Sequence, residues 1–253
     1  MRFGSWDPGL WPPGGSPARP PADWTSAKRA VRMPARPAFP LPPGGRAMDQ
    51  DYSKWFYDRV APVYDWVFGK TMEEGRRAAA RQVRPGDRVL EVGVGTGLGL
   101  RHYPSGCEIL GIDICPRMIR KARWRALVEG NGSRILLRCM DATRLELPDG
   151  AFDVVVAPYV ITTVGDPLAL CAEMRRVCRP GGRVVVVSNT REDGAWGAVK
   201  CRLSPLMERV GFCTDLDVPG VLEEAGLRVV EARRVNLGIH KLFVAQRPEP
   251  ATH

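Results

Sequence analysis

The stretch RVLEVGVGTGLG, residues 88–99, constrains this chain more than any other. A short β-branched run carries Glu91, and glycines then stand at positions 93, 95, 97 and 99. A buried strand that stops at a glycine-rich turn opening a helix brings backbone N–H groups and a helix N-terminus close to a bound ligand. The spacing carries more information than the glycines do. A dinucleotide fingerprint G-x-G-x-x-G needs a third glycine at 98 or 100, where Leu98 and Leu100 stand. The pattern present is E-x-G-x-G-x-G.

Beyond this loop the chain reads as alternating strands and helices. Candidate strands are 88–92, 108–112, 134–138, 153–157, 183–188, 227–233 and 240–246, with helical patterns near 97–103, 116–129, 167–178 and 217–225. Asp166-Pro167 reads as an N-cap followed by proline at the first helical position, and Asp217 as a second N-cap whose helix ends at Gly226. Short continuous apolar strands between helices predict a parallel sheet covered on both faces. The link Asn236-Leu237-Gly238 is too short for a crossover, so the last two strands should be antiparallel.

The first 47 residues hold 11 of the 23 prolines and six glycines, a composition that cannot offset its ordering entropy. They are expected to be a disordered leader, with Met48 opening the working protein. Residues 48–83 are expected to form an amphipathic helical cap and 84–248 the α/β domain that carries the glycine loop. The formal net charge of +9 favours an anionic partner. The basic residues are dispersed, and the aromatics cluster in an apolar segment rather than a stacking platform, which argues against nucleic acid. No window approaches 18 consecutive apolar residues, so a spanning helix is not expected. Seven cysteines without a C-x-x-C pair read as free thiols in a reducing cytoplasm, with neither a zinc site nor a disulfide framework.

In an open α/β sheet the ligand sits outside the carboxyl ends of the strands, so site residues should fall just past them. Glu91 with Gly93, Gly95, Thr96 and Gly97 follows the first strand, and Asp113-Ile114 the second. A carboxylate at 113 can accept from both hydroxyls of a ribose. Met118 lies beyond it, positioned to pack on a purine; Asp141-Ala142 follows the third strand, and Ala157-Pro158-Tyr159 ends the fourth.

These features resemble the class I S-adenosylmethionine-dependent methyltransferases, whose Rossmann-like fold has a mostly parallel seven-stranded sheet with one antiparallel strand and helices on both faces. The resemblance implies S-adenosyl-L-methionine as cofactor, held by Glu91, Gly93, Gly95, Thr96, Gly97, Asp113, Ile114, Met118, Asp141, Ala142 and Ala157. The aromatic segment YSKWFYDRVAPVYDWVFG at 52–69, the Ala157-Pro158-Tyr159 strand end and the Arg179-Pro180-Gly181-Gly182 turn narrow it further. Over residues 48–247 the chain resembles the soluble bacterial phosphatidylethanolamine N-methyltransferases, and more loosely the quinone C-methyltransferases. The implied reaction is successive methylation of phosphatidylethanolamine and its mono- and dimethylated forms toward phosphatidylcholine. The alternative is a small-molecule or quinone methyltransferase.

On this reading Tyr159, Tyr52 and Tyr64 surround the reacting amine, where aromatic faces attract a substituted ammonium. Arg191, His240 and Lys241 are candidates to hold the lipid phosphate together with Tyr159. The aromatic segment, and a second amphipathic stretch at 195–212, suit peripheral docking from the cytoplasm on an anionic membrane surface.

Overall fold

The computed structural model describes residues 71–129, 132–188 and 216–249. The leader, the aromatic segment with Tyr52 and Tyr64, Arg191 and the 195–212 stretch lie outside the described residues.

Among the described residues seven strands make one sheet: β1 (Arg88–Val92), β2 (Glu108–Asp113), β3 (Arg134–Cys139), β4 (Phe152–Pro158), β5 (Cys178–Ser188), β6 (Arg228–Val235) and β7 (His240–Gln246). Their order is β3-β2-β1-β4-β5-β7-β6. The pairs from β3 to β5 are all parallel, and β7 runs antiparallel to both β5 and β6. Thus β7 is the reversed strand expected from the short 236–239 link. The chain order changes direction between β1 and β4, which leaves a crevice at their carboxyl ends.

Four helices flank the sheet among the described residues: α1 (Glu73–Ala80), α2 (Pro116–Glu129), α3 (Pro167–Val177) and α4 (Val218–Glu224). The expected caps are present. Asp166 accepts from the Ala169 N–H and Asp217 from the Gly220 N–H, each with proline in the first turn. One face of the sheet packs Leu170, Met174, Val218 and Leu222 of α3 and α4 against Val155, Val184 and Phe243. The other packs Ala78, Ala79, Ile119 and Ala122 of α1 and α2 against Val89, Ile109 and Val185. The central strands are buried from both sides, which is why β4 and β5 carry the unbroken apolar runs Val154–Ala157 and Val184–Val187.

Two local expectations are corrected. The helix expected over 97–103 is only a 3-10 turn at Leu100–His102. Gly97 sits at φ +83, outside the right-handed helical region, so a regular helix cannot start from it. The Arg179-Pro180-Gly181-Gly182 turn lies inside β5 rather than before it. The register jumps from Phe152↔Cys178 to Val154↔Arg183, and the Gly181 N–H donates to the Arg247 carbonyl at 2.9 Å. The segment is a bulge tied to the chain just beyond β7.

All five described cysteines are free, and Cys139 alone among them is exposed. Burial pushes the Cys171 and Cys178 thiols up to about 12.

Candidate active site

A cleft opens beyond the carboxyl ends of β1, β2, β3 and β4, enclosing about 870 Å³ of space with its open mouth included. Its floor is the glycine turn after β1. Gly93 cannot carry a side chain, because a Cβ there would stand 2.8 Å from Val160 on the β4 wall. Its φ of +67 would also strain any other residue.

Asp113 ends β2 at the side of this floor. The Gly95 N–H donates to its Oδ2 at 2.9 Å and the Cys115 N–H to its Oδ1 at 2.8 Å. Each oxygen is fixed by the backbone and keeps further lone pairs for a ligand. Burial raises its pKa above the ordinary 3.8, and the two N–H donors oppose that shift. At the end of β3, Asp141 Oδ1 accepts from the Thr143 N–H at 2.9 Å and from its hydroxyl at 2.8 Å. This turn holds Ala142 against the cleft. Ile114 and Met118 line the same side, Met118 as a buried side chain of α2.

Glu91, Thr96, Gly97, Ala157, His240 and Lys241 are not among the lining residues. Glu91 is buried beneath Gly99, whose added Cβ would stand 2.7 Å from Oε1. Burial drives its carboxyl up to about 7, against the hydrogen bond from Tyr103 and the nearby Arg76 charge. The Thr96 carbonyl and hydroxyl oxygens both accept from Arg125, at 2.7 and 2.9 Å. Gly97 is pressed on α2, where an added Cβ would come within 3.1 Å of the Ala122 Cα. These residues shape the loop from behind. Ala157 is fully buried in the sheet, one residue before the lining begins at Pro158.

Tyr159 forms the opposite wall. Its backbone is left-handed at φ +64, and its N–H donates to the Val187 carbonyl at 2.7 Å. A bulky residue there costs on the order of 1–3 kcal/mol, so its surroundings must hold it. The hydroxyl donates to the Met72 carbonyl at 3.0 Å and accepts from Asn236 Nδ2 at 2.7 Å. The His240 ring meets the Tyr159 ring edge-on at 5.0 Å, and the Arg76 guanidinium lies 5.8 Å from the ring centre. Asn236 also accepts from the Gly75 N–H through Oδ1 at 2.9 Å, and its Nδ2 lies 3.1 Å from His240 Nδ1. Thus His240 is buried behind Tyr159, while Lys241 pairs with Ser188 and Arg234 in the sheet.

Sequence reasoning missed Asn236, Arg76 and the cleft residues Thr163, Val164 and Gly165. The last three follow β4 and precede the Asp166 cap, so their strand-end position was a usable signal. Asn236 carried none, since Asn before Gly238 reads as an ordinary turn.

The cleft thus offers backbone-fixed acids at two strand ends, a side-chain-free floor and an aromatic wall. That donor set suits a nucleoside with a cationic tail reaching toward the wall. A methyltransferase-domain family profile matches residues 90–186. A phosphatidylethanolamine N-methyltransferase from Cereibacter sphaeroides is 38% identical over 194 residues, covering 76% of this chain and 93% of that protein. A demethylmenaquinone methyltransferase from Thermus thermophilus is 34% identical over 154 residues, covering 56% of this chain and 69% of that protein. The solved structure of an S-adenosylmethionine-dependent methyltransferase from Aquifex aeolicus aligns with a TM-score of 0.60 at 19% identity, covering 75% and 97% of the two chains, a likeness of fold. With S-adenosyl-L-methionine as its cofactor, the chain belongs to the class I methyltransferases, in the phosphatidylethanolamine N-methyltransferase family.

Proposed function

We propose that this enzyme methylates the amine of phosphatidylethanolamine, and of its mono- and dimethylated forms, at a membrane surface. The observation that carries the reading is the 38% identity over nearly the full length of a relative with that activity in its name. An acceptor wall built on Tyr159 with apolar Pro158, Val160 and Val164 supports it.

When bound, the cofactor supplies an electrophilic methyl group on a sulfonium, and the rest falls to the protein's own residues. Asp113 accepts from the ribose hydroxyls, Asp141 and the Ala142 backbone meet the purine edge, and Met118 packs on its face. Gly93 and Gly95 allow the tail to pass close to the backbone. Among the described residues the two lining carboxylates, Asp113 and Asp141, both belong to this side. The amine must arrive neutral to attack the methyl group, loss of its proton to water is adequate for that, and the wall orients it. Because the Tyr159 hydroxyl is engaged by Met72 and Asn236, its ring is the part that meets substrate. A ring face attracts a substituted ammonium by roughly 0.5–2 kcal/mol, depending on desolvation, and tolerates each added methyl. His240 steadies Tyr159 from behind.

The test is expression in a bacterium whose lipids lack choline, followed by mass analysis of the headgroups. Mono-, di- and trimethylated ethanolamine lipids are expected. The demethylmenaquinone methyltransferase likeness supports a second reading, a prenylated quinol acceptor. Unchanged headgroups beside a quinone pool heavier by one methyl would replace the first reading with the second.

A further inference from the structure

The turn between β6 and β7 combines three features that are each unfavourable in water. Leu237 is 99% exposed and Ile239 54% exposed, on a turn of only four residues. Leu237 also stands in the left-handed region at φ +57, directly after Asn236 at φ +52, where Asn or Gly fits without strain. At the root of the turn, Arg234 pairs directly with Lys241 across the two strands. Two like charges facing each other on one side of a ladder repel. The Arg234 chain runs along the turn, within 3.8 Å of where a Cβ on Gly238 would lie.

An anionic lipid surface answers all three at once. Apolar side chains at the tip enter the headgroup boundary, the paired cations meet lipid phosphates, and the strained leucine is held outward for that contact. Position agrees. Because β6 runs in the same direction as β5, the turn lies at the carboxyl end of the sheet, where the cleft opens. Its first residue, Asn236, donates to the Tyr159 hydroxyl.

We propose that the 236–239 turn is an insertion point for an anionic phospholipid bilayer, and that its seating sets the Tyr159 wall at the membrane surface. The proposal deepens the lipid reading above, yet the contact can be measured without any acceptor. The full chain is sedimented with phosphatidylcholine vesicles containing or lacking phosphatidylglycerol, so that no primary-amine lipid is present. Binding that rises with phosphatidylglycerol and weakens with salt is expected. Leu237→Asn should weaken binding about tenfold. Asn accepts the left-handed backbone, so melting temperature and affinity for S-adenosylhomocysteine should not fall. Arg234→Gln should reduce the preference for phosphatidylglycerol, and Ile239→Ser should act in the same direction as Leu237→Asn.

Vesicle binding within twofold of wild type in both Leu237→Asn and Ile239→Ser overturns the proposal. So does a dimer that dissociates in Leu237→Asn while wild type ignores vesicles, since a second copy would then cover the tip. Intact vesicle binding with no methylation of phosphatidylethanolamine would instead defeat the acceptor assignment and leave this contact standing.

Discussion

The two walls of the cleft are held in different ways. On the β1–β2–β3 side the decisive contacts are short in sequence: Asp113 is fixed by N–H groups of Gly95 and Cys115, and Asp141 by Thr143. On the β4–β5–β7–β6 side Tyr159 is fixed by Met72, 87 residues away, and by Asn236, 77 away. Asn236 in turn takes the Gly75 N–H from a separation of 161. One wall is held by tight turns at the ends of β2 and β3 and by one contact 18 residues apart, from Gly95 to Asp113. The other is a tertiary assembly of α1, the β4 end and the β6–β7 turn. Cofactor recognition and acceptor recognition should therefore fail separately.

The largest effect is expected on the first wall. Asp113→Ala removes both backbone-anchored oxygens and should weaken S-adenosylhomocysteine binding at least about 100-fold by calorimetry. Near-normal affinity would break the contrast at its stronger end.

Next comes a pH effect behind the same wall. Burial lifts the Glu91 carboxyl from an ordinary 4.5 to about 7, so the folded state holds this proton more tightly than the unfolded state. Its contribution to stability is complete below about pH 4.5 and is lost as pH rises through 7. Between pH 5 and 8 wild type should lose about 2 kcal/mol relative to Glu91→Gln. The comparison must be differential, because Asp113 shifts in the same direction and Asp153 and Glu173 in the opposite one. Parallel pH profiles of the two proteins in denaturant titrations would contradict this.

The second wall should respond more mildly and in turnover alone. Tyr159→Phe deletes the group that joins Met72 and Asn236, and Gly75→Ala places a methyl on the Tyr159 hydroxyl. Each should lower kcat about tenfold while the cofactor Kd changes less than twofold. A cofactor Kd that moves with kcat would mean the two walls are coupled.

The same contrast explains what the sequence could disclose. The strand spans, the antiparallel last pair, both Asp caps and the places of Asp113, Asp141 and Met118 beside the cleft were legible, since each depends on periodicity, link length or a position just past a strand. Glu91 and Thr96 belong to the glycine motif, but motif position does not tell which side of the loop a side chain faces. The structure turns Glu91 under Gly99 and Thr96 toward Arg125. His240, at the start of the last expected strand, was a candidate to hold a phosphate, yet its burial beside Asn236 follows from tertiary contacts of a turn whose sequence marks only its position. Tyr159 was found because it follows β4, and the contacts that hold it were not.

The most direct measurement incubates the purified chain with S-adenosylmethionine and phosphatidylethanolamine vesicles and follows headgroup mass over time. The account predicts successive gains of one, two and three methyl groups, abolished in Asp113→Ala and slowed in Tyr159→Phe. An unchanged lipid mass, with S-adenosylhomocysteine bound normally and a prenylated quinol methylated in its place, would contradict it.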